Sequence, residues 1–136
     1  MRLQKAEFLP SIESQFFWFG IVGIAGLIID AGVLDAVVHY LKTDPLSGRF
    51  VSFLTAATTT WWLNRKLTFR LRDKLNISEW ATYVALMTIG AVVNFGVFLV
   101  MVGLLGYTRP ILIAAVAAGS LSGMCVNFFS ARWLLN

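Results

Sequence analysis

The sequence has one cysteine, one histidine and three prolines, and only 13% of its 136 residues are charged. A lone Cys125 and a lone His39 exclude a disulfide framework and a cysteine/histidine zinc site, because each needs several such side chains. The low charge excludes an ordinary water-soluble enzyme, in which about 25% of residues are charged. We therefore expect no metal cluster bound by cysteine and histidine.

The sequence is rich in hydrophobic residues. Hydrophobic residues make up 58% of the chain, and the mean hydropathy is +0.76. A chain of 136 residues forms one domain at most, and one small core does not hide this much apolar surface, so lipid must cover the rest. The net charge of +4 does not predict a nucleic-acid partner, because Lys and Arg in so apolar a chain typically flank membrane spans.

The uncharged runs predict an all-α, polytopic membrane protein with four transmembrane helices in a single domain, 1–136. The runs 80–108 and 110–131 are long enough to cross the membrane, which takes about 20 helical residues. The first span reaches full length only by including Asp30 and Asp35, and the second only by including Arg49. The predicted spans are 16–41, 45–66, 80–105 and 110–135.

The basic residues predict the orientation. One group of basic residues lies in the N-terminal segment, the middle loop and the C-terminus, and comprises Arg2, Lys5, Arg65, Lys66, Arg70, Arg72, Lys74 and Arg132. The smaller group lies on the opposite side of the predicted spans and comprises Lys42, Arg49 and Arg109. Because cytoplasmic segments carry the excess of Lys and Arg, we expect both termini and the middle loop in the cytoplasm. The expected location is the cell inner, or cytoplasmic, membrane.

The two halves of the chain resemble each other. The segment 26–33 aligns with 90–97, so that Gly26 and Asp30 correspond to Gly90 and Asn94. Each half then forms one helical hairpin, over 16–66 and 80–135. Since a hairpin returns the chain to its starting side, the repeats are predicted to be parallel.

Polar side chains within the spans predict a seam through the bundle. Asp30 lies so deep that an ionised carboxylate facing lipid would be expensive, so it must face protein or water. The register of the first hairpin suggests Thr55, Thr58 and Thr59 as its hydroxyl partners, and pairs Asp35 with Arg49. The predicted seam comprises Asp30, Asp35, Arg49, Thr58, Asn94 and Asn127. Alternatively, these groups only stabilise helix packing.

A cationic motif follows the second span, with Arg65, Lys66 and Arg70 around a hydroxyl and an aromatic ring. Arg binds phosphate through two N–H groups and Lys supplies a point charge, so the motif suits a lipid phosphate. We expect Arg65, Lys66, Arg70 and Asn64 to form the site. Alternatively, the cluster only determines topology.

These residues resemble the GtrA-like family of four-helix membrane proteins. The resemblance rests on Phe19-Gly20-x-x-Gly23, on Asp30 and on Asn64-Arg65-Lys66-Leu67-Thr68-Phe69, which is similar to the family's Asn-Arg-x-aromatic-Thr-Phe motif with Leu67 in place of the aromatic. It implies a role in cell-surface polysaccharide synthesis or glycosylation through the flipping of polyprenyl-phosphate-linked sugars. It also implies a membrane-associated glycosyltransferase as partner and no metal or nucleotide cofactor.

Three functions are compatible with the sequence. The leading hypothesis is a flippase for a polyprenyl-phosphate-linked sugar, which has no catalytic residue and for which a homodimer in membrane lipid is one expected assembly. The second is a proton-coupled exporter of the small multidrug-resistance type, in which Asp30 alternates between a proton and a cationic drug. The third is a scaffold that holds a glycosyltransferase at the membrane through the loop 65–79.

Overall fold

The computed structural model describes residues 10–136 and consists of helices joined by short connections. The helices are α1 (Ile12–His39), α2 (Pro45–Leu63), a π-helix (Asn64–Thr68) that continues α2, α3 (Ile77–Leu105) and α4 (Arg109–Leu135). The all-α prediction with four long helices is confirmed. The N-terminal cations Arg2 and Lys5, used to predict the orientation, lie outside the described residues.

The helix starts follow from local chemistry. The Ser11 hydroxyl accepts a hydrogen bond from the Ser14 N–H at 3.3 Å at the start of α1. Asp44 accepts the Ser47 N–H at 2.9 Å at the start of α2, where Pro45 occupies a position that needs no N–H. Hydrogen bonds from Ser47 to the Asp44 carboxylate lower the pKa of Asp44.

The described chain forms two compact units. The first comprises residues 10–84 and 135–136, and the second residues 85–134. In the first unit α1 and α2 form a hairpin, since Gly26 lies against Thr60 and Gly48 against Val38. A Cβ on Gly26 would lie 2.5 Å from the Thr60 Cγ2, so the missing side chain permits this approach.

Glycine also permits close helix packing in the second unit. A Cβ on Gly119 would lie 2.5 Å from the Asn94 carbonyl oxygen, and one on Gly123 would lie 2.7 Å from the Gly90 carbonyl oxygen. Gly90 itself faces the Asn127 side chain. Helices α3 and α4 therefore contact each other here through backbone and asparagine side chains.

Among residues 10–136, three helices, α1, α3 and α4, are long and apolar enough to cross a membrane. Their outward positions carry large exposed hydrophobic side chains such as Leu27, Val92 and Ile113, as expected of surfaces covered by lipid. Helix α2 is less apolar, because it contains Arg49 and several threonines, although its 19 residues extend roughly 28 Å at 1.5 Å per residue. The sidedness and the repeat of two hairpins stay predictions.

Candidate lipid-phosphate site

The candidate site lies where α2 ends. The chain widens into the π-helix, after which the Phe69 N–H bonds the Asn64 carbonyl at 2.9 Å and the Leu71 N–H bonds the Arg65 carbonyl at 2.7 Å. Arg70, which lies between Phe69 and Leu71, adopts φ +54°, the left-handed conformation that reverses the chain. The turn therefore places Arg70 and the residues after it beside the end of the helix.

Arg65 anchors the loop that follows this turn. Its side chain is 1% exposed and forms an ion pair with Glu79, at the start of α3. It also donates to the Asp73 carbonyl at 3.0 Å and stacks over the Trp61 ring at 5.7 Å, while the Trp61 indole donates to Glu79 at 2.8 Å. The structure thus gives Arg65 a positioning role and not the solvent-facing position expected of a phosphate ligand.

Asn64 is likewise buried, with 1% of its surface exposed. Its amide donates to the Tyr83 hydroxyl at 2.8 Å and its carbonyl accepts from the Thr68 hydroxyl at 2.7 Å. The first bond connects the start of the π-helix to α3, and the second connects the two ends of the π-helix to each other. Asn64 therefore holds the site in shape and is not available to a ligand at the surface.

A cleft of about 360 Å³ opens beside the buried anchors. It is lined by Trp18, Lys66, Leu67, Arg70, Leu71 and Arg72. Within residues 10–136 none of its three cations has an ion pair, and Lys66 and Arg70 are exposed. An indole, two leucines and three unpaired cations provide both charge for a phosphate and apolar surface for the chain attached to it.

The structure brings Asp30 and Arg49 together, with the Arg49 Nη1 at 2.5 Å from the Asp30 Oδ2. The predicted pairing of Arg49 with Asp35 is wrong. Two residues five apart on a helix point about 140° apart, so only one of the two acids faces α2. Asp35 points outward, with its side chain 67% exposed, and pairs with His39 at 2.9 Å.

The predicted hydroxyl partners of Asp30 are also wrong. Thr55 and Thr59 donate to the Val51 and Thr55 carbonyls of their own helix, each at 2.8 Å. Thr58 accepts a hydrogen bond from the Trp80 indole at 2.9 Å. A threonine hydroxyl in a helix readily bonds the carbonyl one turn earlier, so the long Arg49 side chain is left to neutralise Asp30.

The two asparagines of the predicted seam lie in the second unit. Asn94 lies against Gly119 and Gly123, and Asn127 lies against Gly90. The Asn127 Oδ1 is buried without a hydrogen-bond partner among residues 10–136. Within this unit both amides are placed at the α3–α4 contact.

Sequence reasoning missed four residues that shape the site: Trp18, Trp61, Glu79 and Tyr83. The sequence did indicate that Glu79 could pair with a cation. It is a carboxylate that follows the cationic loop and stands at the start of a predicted span. Tyr83 and the two tryptophans carried no such signal, since aromatic residues near span ends are common in any membrane protein.

The fold and the cleft define a helical membrane protein with several apolar helices and a cationic, partly apolar site at one helix end. The comparison with known families agrees with this. A family model described as GtrA/DPMS, transmembrane domain, matches residues 18–136, so the chain belongs to this family. The resemblance stated above is confirmed. No curated protein and no solved structure matches the chain.

Proposed function

We propose that the protein translocates a polyprenyl-phosphate-linked sugar across the cytoplasmic membrane, for cell-surface polysaccharide synthesis or glycosylation. Family membership supports a role in handling such lipids. The observation that carries the proposal is the cleft lined by Lys66, Arg70 and Arg72 together with Trp18.

The cleft matches the chemistry of such a lipid. The phosphate binds the three cations, which have no competing carboxylate within residues 10–136. The first prenyl units contact Leu67 and Leu71, and the Trp18 ring provides a flat apolar surface. Arg65 and Glu79 do not touch the lipid; they hold the loop that supplies Arg70 and Arg72.

A protein path is needed because a phosphosugar crossing bare hydrocarbon loses its water without replacement. In this proposal no bond is made or broken, so the protein is a carrier and not an enzyme.

The sugar arrives from a membrane-associated glycosyltransferase, and two copies of the chain form the working unit. Both termini and the loop 69–76 lie on the cytoplasmic side, where the lipid is loaded.

The proposal is tested in proteoliposomes that contain the full chain alone. The probe is radiolabelled citronellyl-phosphate glucose, a water-soluble short-chain analogue, and its uptake into the vesicles is measured. The triple variant K66Q/R70Q/R72Q should reduce uptake at least tenfold, because the phosphate loses all three counter-charges.

The matched control is K74Q, which removes an exposed cation of the same loop that does not line the cleft. Its uptake should remain within twofold of the parent. Uptake that is unchanged in the triple variant would refute docking in the cleft, and an absence of uptake by the parent chain would favour the scaffold hypothesis.

The exporter hypothesis receives less support from the structure. An acid that alternates between a proton and a cation must be free to bind both, whereas Arg49 already neutralises Asp30. A cleft with three cations also repels a cationic drug.

A further inference from the structure

Among residues 10–136, Trp18 is the only part of the cleft lining that comes from α1. The other five lining residues belong to the π-helix and the turn after it, so the cleft lies between α1 and this cationic segment. Trp18 is in the second turn of α1, which begins at Ile12, and it is half-buried. The indole therefore forms a part of the cleft that carries no charge.

The indole N–H of Trp18 has no hydrogen-bond partner within residues 10–136. Two other tryptophans of the same unit differ in this respect. The Trp61 indole donates to Glu79 at 2.8 Å, and the Trp80 indole donates to Thr58 at 2.9 Å. Since a tryptophan ring that packs within a structure usually bonds its N–H, Trp18 brings an unused donor to the cleft.

The Trp18 ring is held in place by its neighbour. Phe17 contacts it in a T-shaped arrangement, with ring centroids 6.0 Å apart and an interplanar angle of 79°. Such edge-to-face pairs are favourable and restrict the rotation of both rings. A ring that is already oriented loses little conformational entropy when a ligand stacks on it.

The apolar lining of the cleft has two chemically different parts. Leu67 and Leu71 are branched aliphatic side chains, which match prenyl units and offer no hydrogen bond. An indole with a free N–H matches a pyranose instead, because a sugar ring combines a face of C–H groups with hydroxyl oxygens that accept a hydrogen bond. In the lipid, the phosphate joins the sugar to the prenyl chain, so a phosphate at the cations brings both groups to the lining.

We propose that Trp18 binds the sugar ring of the lipid and determines which headgroups the cleft accepts. The pyranose stacks on the indole and one of its hydroxyl oxygens accepts the indole N–H, while Lys66, Arg70 and Arg72 hold the phosphate. The substrate class is a phosphodiester between a prenyl alcohol and a pyranose with an unbroken C–H face, such as glucose. This assignment rests on the proposed function, because it identifies the headgroup of the lipid proposed for the same cleft.

The test compares two probes that differ only in the headgroup. Citronellyl-phosphate glucose and citronellyl methyl phosphate are both phosphodiesters with one negative charge and the same prenyl unit. Each is titrated by calorimetry against the full chain in detergent. W18L should weaken binding of the glucose probe about fivefold to tenfold, the combined effect of one ring contact and one hydrogen bond, and should change binding of the methyl probe by less than twofold.

The leucine variant keeps an apolar side chain but removes the flat ring and the N–H. Equal weakening of both probes, as expected if the prenyl chain contacts Trp18, would overturn the proposal. Unchanged binding of both probes would overturn it as well, because that is the behaviour of a tryptophan that only anchors α1 at the membrane interface.

Trp133 provides the matched control, because it is 77% exposed and does not line the cleft. W133L should leave both affinities within twofold. If W18L unfolds the chain, W18F tests the same point, since it keeps a flat ring and loses only the N–H. It should weaken binding of the glucose probe about twofold to threefold at an unchanged melting temperature. Should W18F bind both probes as the parent chain does, the proposal is overturned.

The variant K66Q/R70Q/R72Q separates this inference from the proposed function. It should weaken both probes by the same factor, because the phosphate is common to them. An absence of lipid uptake by the parent chain in vesicles would refute translocation, while the selective effect of W18L is still measured in detergent. Uptake by the parent chain without a selective effect of W18L would overturn only the assignment of the sugar to Trp18.

Discussion

At the scale of single residues, Arg65 and Lys66 are neighbours with opposite environments. Arg65 is buried and paired with Glu79, whereas Lys66 is exposed at the cleft. We expect R65A to destabilise the protein by about 3 kcal/mol, because it leaves the Glu79 carboxylate without its partner. Thermal or denaturant unfolding in detergent measures this.

The control is K66A, which should change stability by no more than about 0.5 kcal/mol but weaken binding of citronellyl phosphate. Substitution of Arg65 should therefore reduce mainly the stability of the protein, whereas substitution of Lys66 should reduce mainly its affinity for citronellyl phosphate. Equal losses of binding at constant stability would mean that both cations contact phosphate, as the sequence alone suggested.

Arg70 combines charge with an unfavourable backbone conformation. Its φ of +54° costs a residue with a Cβ about 1 kcal/mol relative to glycine. We therefore expect R70G to be about 1 kcal/mol more stable than R70A in unfolding experiments, while both lose the same binding affinity for citronellyl phosphate.

The two variants thus separate backbone strain from charge. If R70G and R70A are equally stable, the left-handed turn does not limit stability at this position. R70K, which keeps the charge and the strain, should retain most of the binding.

At the scale of helices, the contact between α3 and α4 depends on glycines that face backbone. A Cβ at Gly119 would lie 2.5 Å from the Asn94 carbonyl oxygen, and neither helix backbone moves at low cost. G119A should destabilise the protein by about 1 to 3 kcal/mol, as expected of overpacking, measured by thermal unfolding.

Gly96 offers the matched control, because no atom lies within 4 Å of a Cβ built there. G96A should be neutral or stabilising by about 0.5 to 1 kcal/mol through helix propensity. A G119A variant as stable as G96A would show that the α3–α4 contact is looser than the glycine geometry indicates.

At the scale of the whole molecule, the distribution of basic residues predicts the orientation in the membrane. Two single-cysteine variants test it in a C125S background: K74C in the loop before α3, and Y107C in the connection between α3 and α4. A membrane-impermeant maleimide should label Y107C in intact cells and K74C only after permeabilisation, because the cationic loop is expected in the cytoplasm.

The reverse labelling pattern would contradict the predicted orientation and place the cationic cleft on the outer side. Labelling of both sites in intact cells would show that α3 (Ile77–Leu105), which connects them, does not span the membrane. Either outcome would exclude cytoplasmic loading of the lipid.

The family and the helical class were predictable from the sequence. Long uncharged runs predict helices because backbone groups in lipid must be satisfied within the segment, and the predicted spans lie close to the observed helices. The family resemblance, which rested partly on residues 64–69, is confirmed by the family model that matches residues 18–136.

The roles of the individual polar residues required the tertiary structure. Which acid faces Arg49 depends on the rotation of α1, and Asp30 faces it whereas Asp35 does not. Arg65 and Lys66 are equivalent as charges in the sequence, and only the position of Glu79 at the start of α3 separates the buried, paired arginine from the exposed lysine. Hydropathy depends on composition along the chain, whereas ion pairs depend on distances between segments, and those distances exist only after the helices pack.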